Sequence, residues 1–435
     1  MARPKDRRRN EMVKILPEER AYLRDLAKRV AEIAADPIQE ERRKMWYAHN
    51  ALKRTKPLIF CSPEGAWLEL IPEKTLRMQD PLLRDWEMTL RMRIYAWEHF
   101  HDDQVIDDVL EVPHDCTSAM EIAPSNKDFG WGLEVKKIHS TTERGSYIWD
   151  PPVKKLSDLD KLHYPEVHIN YEASQRRLEL AQELFGDILR VVQRTSFWWS
   201  LGIMIVWAQL RGLEQIMLDM VLEPEWTHRA VKFIADGRMH FLDSLERQGL
   251  LSLNNGNHYI GSGSFGFSDE LPAPDFTGHV RTKDMWGFTE GQEITGVSPQ
   301  MHWEFALQYE VPIHERFGLT YYGCCEPLDK KFDYVKRLPH LRKVSVSPWC
   351  DRAVAAEALE DKYIYCWKPH PAHLAAVQFD GEYVRQYIRE TLEIARGCIV
   401  EMALKDTHTC NNEPQRFDEW TRIAQEEAQR AADRG

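Results

Sequence analysis

Gly318-Leu-Thr-Tyr-Tyr-Gly-Cys-Cys-Glu-Pro327 opens a stretch that continues as Arg342-Lys-Val-Ser-Val-Ser-Pro-Trp-Cys-Asp351 and Tyr363-Ile-Tyr-Cys-Trp-Lys-Pro369. Each of these three short apolar or β-branched runs ends in a cysteine, and helix-like segments separate them. Strands that alternate with helices predict βαβ units and a parallel sheet. The expected fold class is α/β, a (β/α)8 TIM barrel with an N-terminal helical extension. The C-terminal strand ends of such a barrel form its active-site rim. Cys324, Cys325, Cys350 and Cys366 are therefore expected to converge on one mouth.

The chain has 435 residues and a formal net charge of −12. That balance offers no electrostatic case for nucleic acid or an anionic membrane. The basic start, Arg3 to Arg9, reads as a solvated tail, and the N-terminus lacks the apolar region of a signal peptide. The most apolar run, Phe197 to Leu210, is shorter than the roughly 20 residues of a membrane span. The eight cysteines fall mostly in the last third. A disulfide-stapled secreted protein is small and spreads its cysteines evenly, so a cytoplasmic protein with reduced thiols is expected.

Upstream of the cysteine stretch, residues 17–52 have helical periodicity, and Leu82 to Trp97 is a second amphipathic helix. Phe60 to Ile71 reads as a strand pair or ordered loop, and Val105 to Val112 as a first strand. Asn126 to Pro152 is loop or edge β structure. Tyr171 to Phe185 and Pro224 to Gln248 are helices, while Ile188 to Arg194 and Leu250 to Asn255 are strands. The expected division is an extension over residues 1–88 and a barrel over residues 89–435. Gly256 to Gly266 has neither a Rossmann nor a P-loop spacing. Two readings stand for it, a flexible rim loop and a lid over substrate. The last strand is Ile399 to Asp406, and Pro414 opens a closing helix to about Ala432.

Clustered thiols in an intracellular enzyme suggest a metal before they suggest disulfides. Zinc accepts Cys, His and carboxylate in tetrahedral geometry, and a catalytic site keeps one position open. Glu293, Cys325 and Cys366 are the expected ligands, with Cys324, His408 and Cys410 as alternates. For any single cysteine the plainer reading is a small buried hydrophobe. Cys324 and Cys325 point to opposite sides of an extended chain, so one of the two is the ligand. Cys61, Cys116 and Cys398 read as core. Lys405 and Asp406, at a strand end, are candidate catalytic or substrate-binding residues, with an internal ion pair as the alternative. Asn255, Tyr259, Tyr321, Trp349 and Trp367 are candidate substrate contacts, set against the fact that most barrel aromatics are core.

From Ser157-Asp-Leu-Asp-Lys-Leu162 onward, the order of elements resembles the uroporphyrinogen decarboxylase-like superfamily. Ser298-Pro299-x-Met301-x-x-Glu304-Phe305, Tyr322-Gly-Cys324-Cys325-Glu326-Pro327 and Trp367-Lys368-Pro369-x-Pro371 carry the resemblance. The Arg-Gln-Ala-Gly-Arg run with which true decarboxylases grip their substrate is absent. The cysteine-tipped strands look instead like the corrinoid-dependent methyltransferase branch, which holds zinc at the barrel mouth. The His-x-Cys usual there appears as Tyr322-Gly-Cys324, which makes Tyr322 a candidate catalytic residue. Glu293, Cys325 and Cys366 follow the spacing of the O-demethylase members. The resemblance implies zinc-dependent transfer of a methyl group from a methoxylated aromatic substrate to the Co(I) corrinoid (cobalamin) of a partner protein. Decarboxylation of a substituted organic acid and corrinoid-to-tetrahydrofolate methyl transfer are the alternatives. A homodimer is an open expectation for the assembly.

Overall fold

The computed structural model describes residues 14–116, 130–141 and 146–434. Eight parallel strands organise it: β1 Leu58–Cys61, β2 Val109–Val112, β3 Arg190–Gln193, β4 Trp286–Thr289, β5 Leu319–Tyr322, β6 Leu341–Val346, β7 Ile364–Trp367 and β8 Ile399–Leu404. Six form one sheet in the order β1-β8-β7-β6-β5-β4, and β2 pairs with β3 in a separate parallel ladder. Single backbone bonds bridge the two groups. Asp103 N donates to Ile59 O at 2.8 Å, and Leu201 N donates to Phe288 O at 2.9 Å. Among the described residues the eight strands do not form one closed ladder.

β1, β4, β5, β7 and β8 are buried along their whole length. Parallel strands covered on both faces need near-continuous apolar runs, and Leu58-Ile-Phe-Cys61 and Ile399-Val-Glu-Met-Ala-Leu404 supply them. Alternation along each strand separates two environments. Val344, Val346, Tyr365, Trp367, Met402 and Leu404 pack with Ile388, Leu392, Phe417 and Trp420 of the C-terminal helices. The opposite face carries Phe288, Tyr321, Lys343, Cys366 and Glu401, with Tyr321 registered against Lys343 and Cys366 against Glu401. Helices Pro17–Ala34, Pro81–His99 and Tyr171–Phe185 form a further core over β2 and β3 through Leu23, Leu90, Leu110 and Leu184. Asp80 and Asn170 cap the second and third of these helices through side-chain oxygens.

Several elements depart from expectation. The periodic region 17–52 is two helices, Pro17–Ala34 and Ile38–Asn50. Leu58–Cys61 is a full member of the sheet, paired with β8. A boundary at residue 88 therefore does not separate a helical extension from the sheet. The expected strand Leu250 to Asn255 joins no ladder; Asn254 is instead tied to Trp286, its Oδ1 accepting from Trp286 N at 2.8 Å and its Nδ2 donating to Trp286 O at 3.0 Å. The part of Asn126 to Pro152 that is described includes an antiparallel hairpin, Lys136–His139 with Tyr147–Asp150; residues 126–129 and 142–145 lie outside the described residues. Gly256 to Gly266 is largely buried. It carries the short hairpin Tyr259–Ile260 with Ser264–Phe265, and Ser262 and Ser264 have no exposed surface.

Candidate functional site

The ends of β4, β5, β7 and β8 place four groups together. Phe288 and Tyr321 lead into a cluster with Cys324 and Cys366, against which Cys325 and Trp199 pack. Cys366 lies within β7, and Lys368 follows two residues later. Lys368 Nζ donates to Cys366 Sγ at 2.6 Å and is 2.8 Å from Tyr321 OH; that hydroxyl donates to Cys366 Sγ at 3.0 Å. Burial pushes the Cys366 thiol up to about 12, with Glu401 acting in the same direction and Lys368 and Lys343 opposing it. Cys324 and Cys325 sulfurs lie 3.5 Å apart as free thiols. The hydrogen bond with Cys325, and then burial, push the Cys324 thiol well up.

Lys405 closes the other side. Its ammonium nitrogen is 3.8 Å from Cys324 Sγ and 2.7 Å from Asp406 Oδ2, while Cys325 Sγ is 3.5 Å from that same oxygen. Asp406 sits in the left-handed backbone region at φ 57°, at the exit of β8. Beneath these groups is a buried charge network. Lys343 Nζ bonds Glu401 Oε2 at 3.0 Å and Ser264 Oγ at 2.5 Å, and His49 Nε2 reaches the same Glu401 oxygen at 3.1 Å. Burial opposes the Glu401 charge, but Lys343 and His49 hold its carboxyl well below the ordinary range.

The glycine-rich hairpin lies directly on this chemistry. Ser262 Oγ donates to Cys324 Sγ at 3.1 Å, Tyr321 OH is 3.3 Å from Ser262 O, and Trp199 Nε1 donates to Gly261 O at 3.1 Å. Gly261 has φ 57°, and a Cβ there would stand 2.1 Å from a Tyr321 ring carbon. Only glycine allows this approach.

Three carboxyl side chains adjoin the cluster, Glu290 and Glu326 buried and Glu293 half-buried. Glu290, at the exit of β4, is pushed well up by burial and by Glu293, Glu326 and Cys324. Burial also pushes Glu293 up to about 7, and Glu293 Oε2 has no hydrogen-bond partner among the described residues. Glu326 accepts from Gly291 N and Cys324 N at 3.0 and 2.8 Å, which fixes the turn after β5.

A cavity of about 830 Å³ opens beside the cluster. Phe60, Trp199, Tyr259 and Phe288 are among its aromatic lining residues. Trp199 and Phe288 rings are 5.4 Å apart, and Phe288 and Tyr321 rings 5.1 Å apart, so the aromatic wall runs on into the thiol cluster.

The structure distributes the sequence-derived candidates unevenly. Tyr321, Cys324, Cys325, Cys366, Lys405 and Asp406 come together, and Tyr259 lines the cavity. Tyr322 and Trp367 are on the helix-covered face. Tyr322 OH bonds His302 Nε2 at 2.8 Å, and Trp367 packs on Tyr387 with ring centroids 5.1 Å apart. Asn255 is held by Leu271 O at 2.5 Å. Trp349 is 60 % exposed and packs on His370. His408 is exposed, whereas Cys410 is buried on Glu69 through its N and Sγ, at 2.9 and 3.1 Å; the two do not face a common point. Sequence reasoning missed Glu290, Lys343, Lys368 and Glu401. Lys368 had a signal: two residues from Cys366 in an extended chain, it shares that cysteine's side.

Zinc, which the resemblance implies, needs several donors at one point. Among the described residues no three His, Cys, Asp or Glu side chains are grouped to hold a metal ion. The sulfurs of Cys366 and Cys324 instead face the ammonium groups of Lys368 and Lys405. As these side chains stand, Glu293, Cys325 and Cys366 do not form a zinc cage.

No described helix is long and apolar enough to cross a membrane. No family model matches the chain, and no curated protein matches it. Among solved structures, the chain is similar to a methyltransferase from Methanosarcina mazei, at 10% identity and a TM-score of 0.48, over 88% of this chain and 97% of that one.

Proposed function

We propose that this chain transfers a methyl group from a methoxylated aromatic substrate to the Co(I) corrinoid of a separate protein, and that its eight parallel strands act as a (β/α)8 barrel with the site at its mouth. The observation that carries the reading is an aromatic-lined cavity whose Phe288 wall packs on Tyr321, which Lys368 in turn contacts behind it. An ether oxygen leaves poorly, because cleavage turns it into a phenolate. Donors fixed in a dry site stabilise that developing charge and need little reorganisation. Lys368 offers an ammonium and Tyr321 a hydroxyl to such an oxygen, and the methyl carbon passes to the corrinoid nucleophile as the carbon–oxygen bond breaks. Lys368 or Tyr321 then returns a proton to the phenolate. Trp199 and Phe288 hold the ring.

In this reading Tyr321 and Lys368 polarise the oxygen unaided. Zinc, when bound, would add Lewis-acid polarisation. Metal analysis of the purified protein tests this part: stoichiometric zinc that is lost in Cys366→Ala supports ligation by Glu293, Cys325 and Cys366.

One observation favours a second reading. Three buried lysines, Lys343, Lys368 and Lys405, surround the cluster and suit an acid whose carboxylate leaves as carbon dioxide. A panel of methoxyaromatics and substituted aromatic acids, incubated with reduced cobalamin, separates the two. Methylcobalamin absorbance with a demethylated product supports methyl transfer. Carbon dioxide release without methylcobalamin supports decarboxylation. With methylcobalamin supplied in place of reduced cobalamin, its consumption only when tetrahydrofolate is added points to transfer in the opposite direction.

A further inference from the structure

The cavity has a polar wall that takes no part in the methyl-transfer scheme. Arg194 follows β3 directly, and its Nη1 lies 3.1 Å from each oxygen of Glu111 on β2. His258 Nε2 is 3.3 Å from Glu111 Oε1. Burial opposes the charge on Glu111, but the His258 hydrogen bond and the Arg194 charge hold its carboxyl below the ordinary range. Arg194 Nε and His258 Nδ1 are both buried without a hydrogen-bond partner among the described residues. Both residues line the cavity.

A buried donor left unpaired costs free energy that a ligand acceptor can recover. The charge of the wall says what kind of acceptor. Arg43, Arg93, Arg190 and Arg194 line the cavity against Asp107, Asp108 and Glu111, four cations to three anions, in a chain whose net charge is −12. Guanidinium groups also match carboxylate oxygens in geometry. The stretch from Arg194 to Trp199 lines the cavity throughout and supplies both this wall and part of the aromatic one.

We infer that the cavity binds an aromatic carboxylate, its anionic group held by Arg194 Nε, with His258 on the same wall. This rests on the proposed function only in taking the cavity as the substrate site; the anion contact does not require methyl transfer. Equilibrium titration calorimetry with benzoate and its neutral analogue benzamide tests it, since neither carries a methyl ether. Benzoate is expected to bind tighter by about tenfold or more, the scale of one charge-assisted contact. Arg194→Gln should abolish that preference, and Arg194→Lys should restore part of it. Glu111→Gln should strengthen benzoate binding, because it removes a competing carboxylate from Arg194. Equal affinity for the two ligands, no binding of benzoate, or a preference that survives Arg194→Gln would overturn the inference. If Arg194→Gln does not fold, Glu111→Gln decides: unchanged or weaker benzoate binding refutes it. A preference for benzoate in a protein that never forms methylcobalamin leaves the anion site standing and removes only the methyl-transfer reading.

Discussion

Lys368 keeps its ammonium nitrogen within 2.8 Å of Tyr321 OH and 2.6 Å of Cys366 Sγ, where only 3 % of its surface is exposed. If this pair stabilises a phenolate, Lys368→Met should lower the methyl-transfer rate by roughly 10²–10³, the loss typical of one preorganised donor. Substrate affinity should change little, because the ring contacts remain. A rate within a factor of about two of wild type would exclude the role. Glu310 gives a prediction of a different kind. Burial pushes its carboxyl up to about 7 from an ordinary 4.5, so the folded chain holds this proton where the unfolded chain has lost it. Stability from this group therefore falls as pH rises from about 4.5 to about 7 and is flat above. Glu310→Gln keeps an acceptor for Ile203 N, which Glu310 Oε1 binds at 3.1 Å. The variant should match wild type in urea unfolding near about pH 4 and exceed it near about pH 8 by on the order of 3 kcal/mol. Identical pH slopes for the two proteins would show that Glu310 is not buried in its neutral form. The sequence could show that Tyr321-Tyr322 and Cys366-Trp367 split between two faces, because side chains alternate. It could not say which member faced the site, since that depends on where the C-terminal helices pack.

At the scale of elements, the hairpin around Gly261 matters most. A glycine-rich run suggests mobility, and the run was open to reading as a rim loop or a lid. Its glycines instead allow backbone to be laid against Tyr321 and the thiols, with Trp46, Phe60, Phe265 and Phe267 packed together behind it. Burial of this kind is set by distant partners. Asn50 Nδ2, on an N-terminal helix, donates to Phe265 O at 2.9 Å and to Phe267 O at 2.7 Å, and no local pattern reports such a contact. Gly261→Ala should therefore lift the hairpin off the site. We expect a loss of about 1–3 kcal/mol in urea unfolding, from the positive φ and the clash with Tyr321. We also expect faster reaction of Cys324 and Cys366 with a thiol reagent. Ser262→Ala removes only the contact with Cys324 and should raise the reactivity of that thiol alone. Unchanged thiol kinetics in Gly261→Ala would mean that the hairpin does not cover the sulfurs. The regular alternation of strands and helices after residue 280 was legible because each strand is a short run rich in apolar, aromatic or β-branched residues set between helical segments. Leu250 to Asn255 has a similar composition yet joins no ladder, because the side chain of Asn254 takes up the backbone groups of Trp286.

For the whole molecule, the decisive connection joins its two ends. β1 lies along β8, with Leu58 registered on Glu401 and Cys61 on Leu404. Around that seam, Asp103 Oδ2 accepts from Ile59 N at 2.8 Å, Lys56 Nζ bonds Gln425 Oε1 at 2.7 Å, and His49 reaches Glu401. A four-residue strand such as Leu-Ile-Phe-Cys is hard to recognise within an otherwise helical N-terminal region. Its pairing partner lies more than three hundred residues away in the chain, from Leu58 to Glu401. Without β1, the fully buried strand β8 would present a free edge of apolar residues and unpaired backbone groups. A chain beginning at residue 89 should therefore lack cooperative urea unfolding and aggregate, even though it keeps seven of the eight parallel strands. Adding the segment 1–88 as a separate polypeptide should restore a folded complex, because the seam is non-covalent. Near-ultraviolet circular dichroism together with size-exclusion chromatography reads both outcomes. If residues 89–435 alone give a monomer with a native-like aromatic signal and a sharp unfolding transition, β1 is an accessory to the sheet. His49, Lys56 and Asp103 would then be surface attachments, and the charge on Glu401 would have to be compensated by Lys343 and Lys368 without help from the N-terminal region.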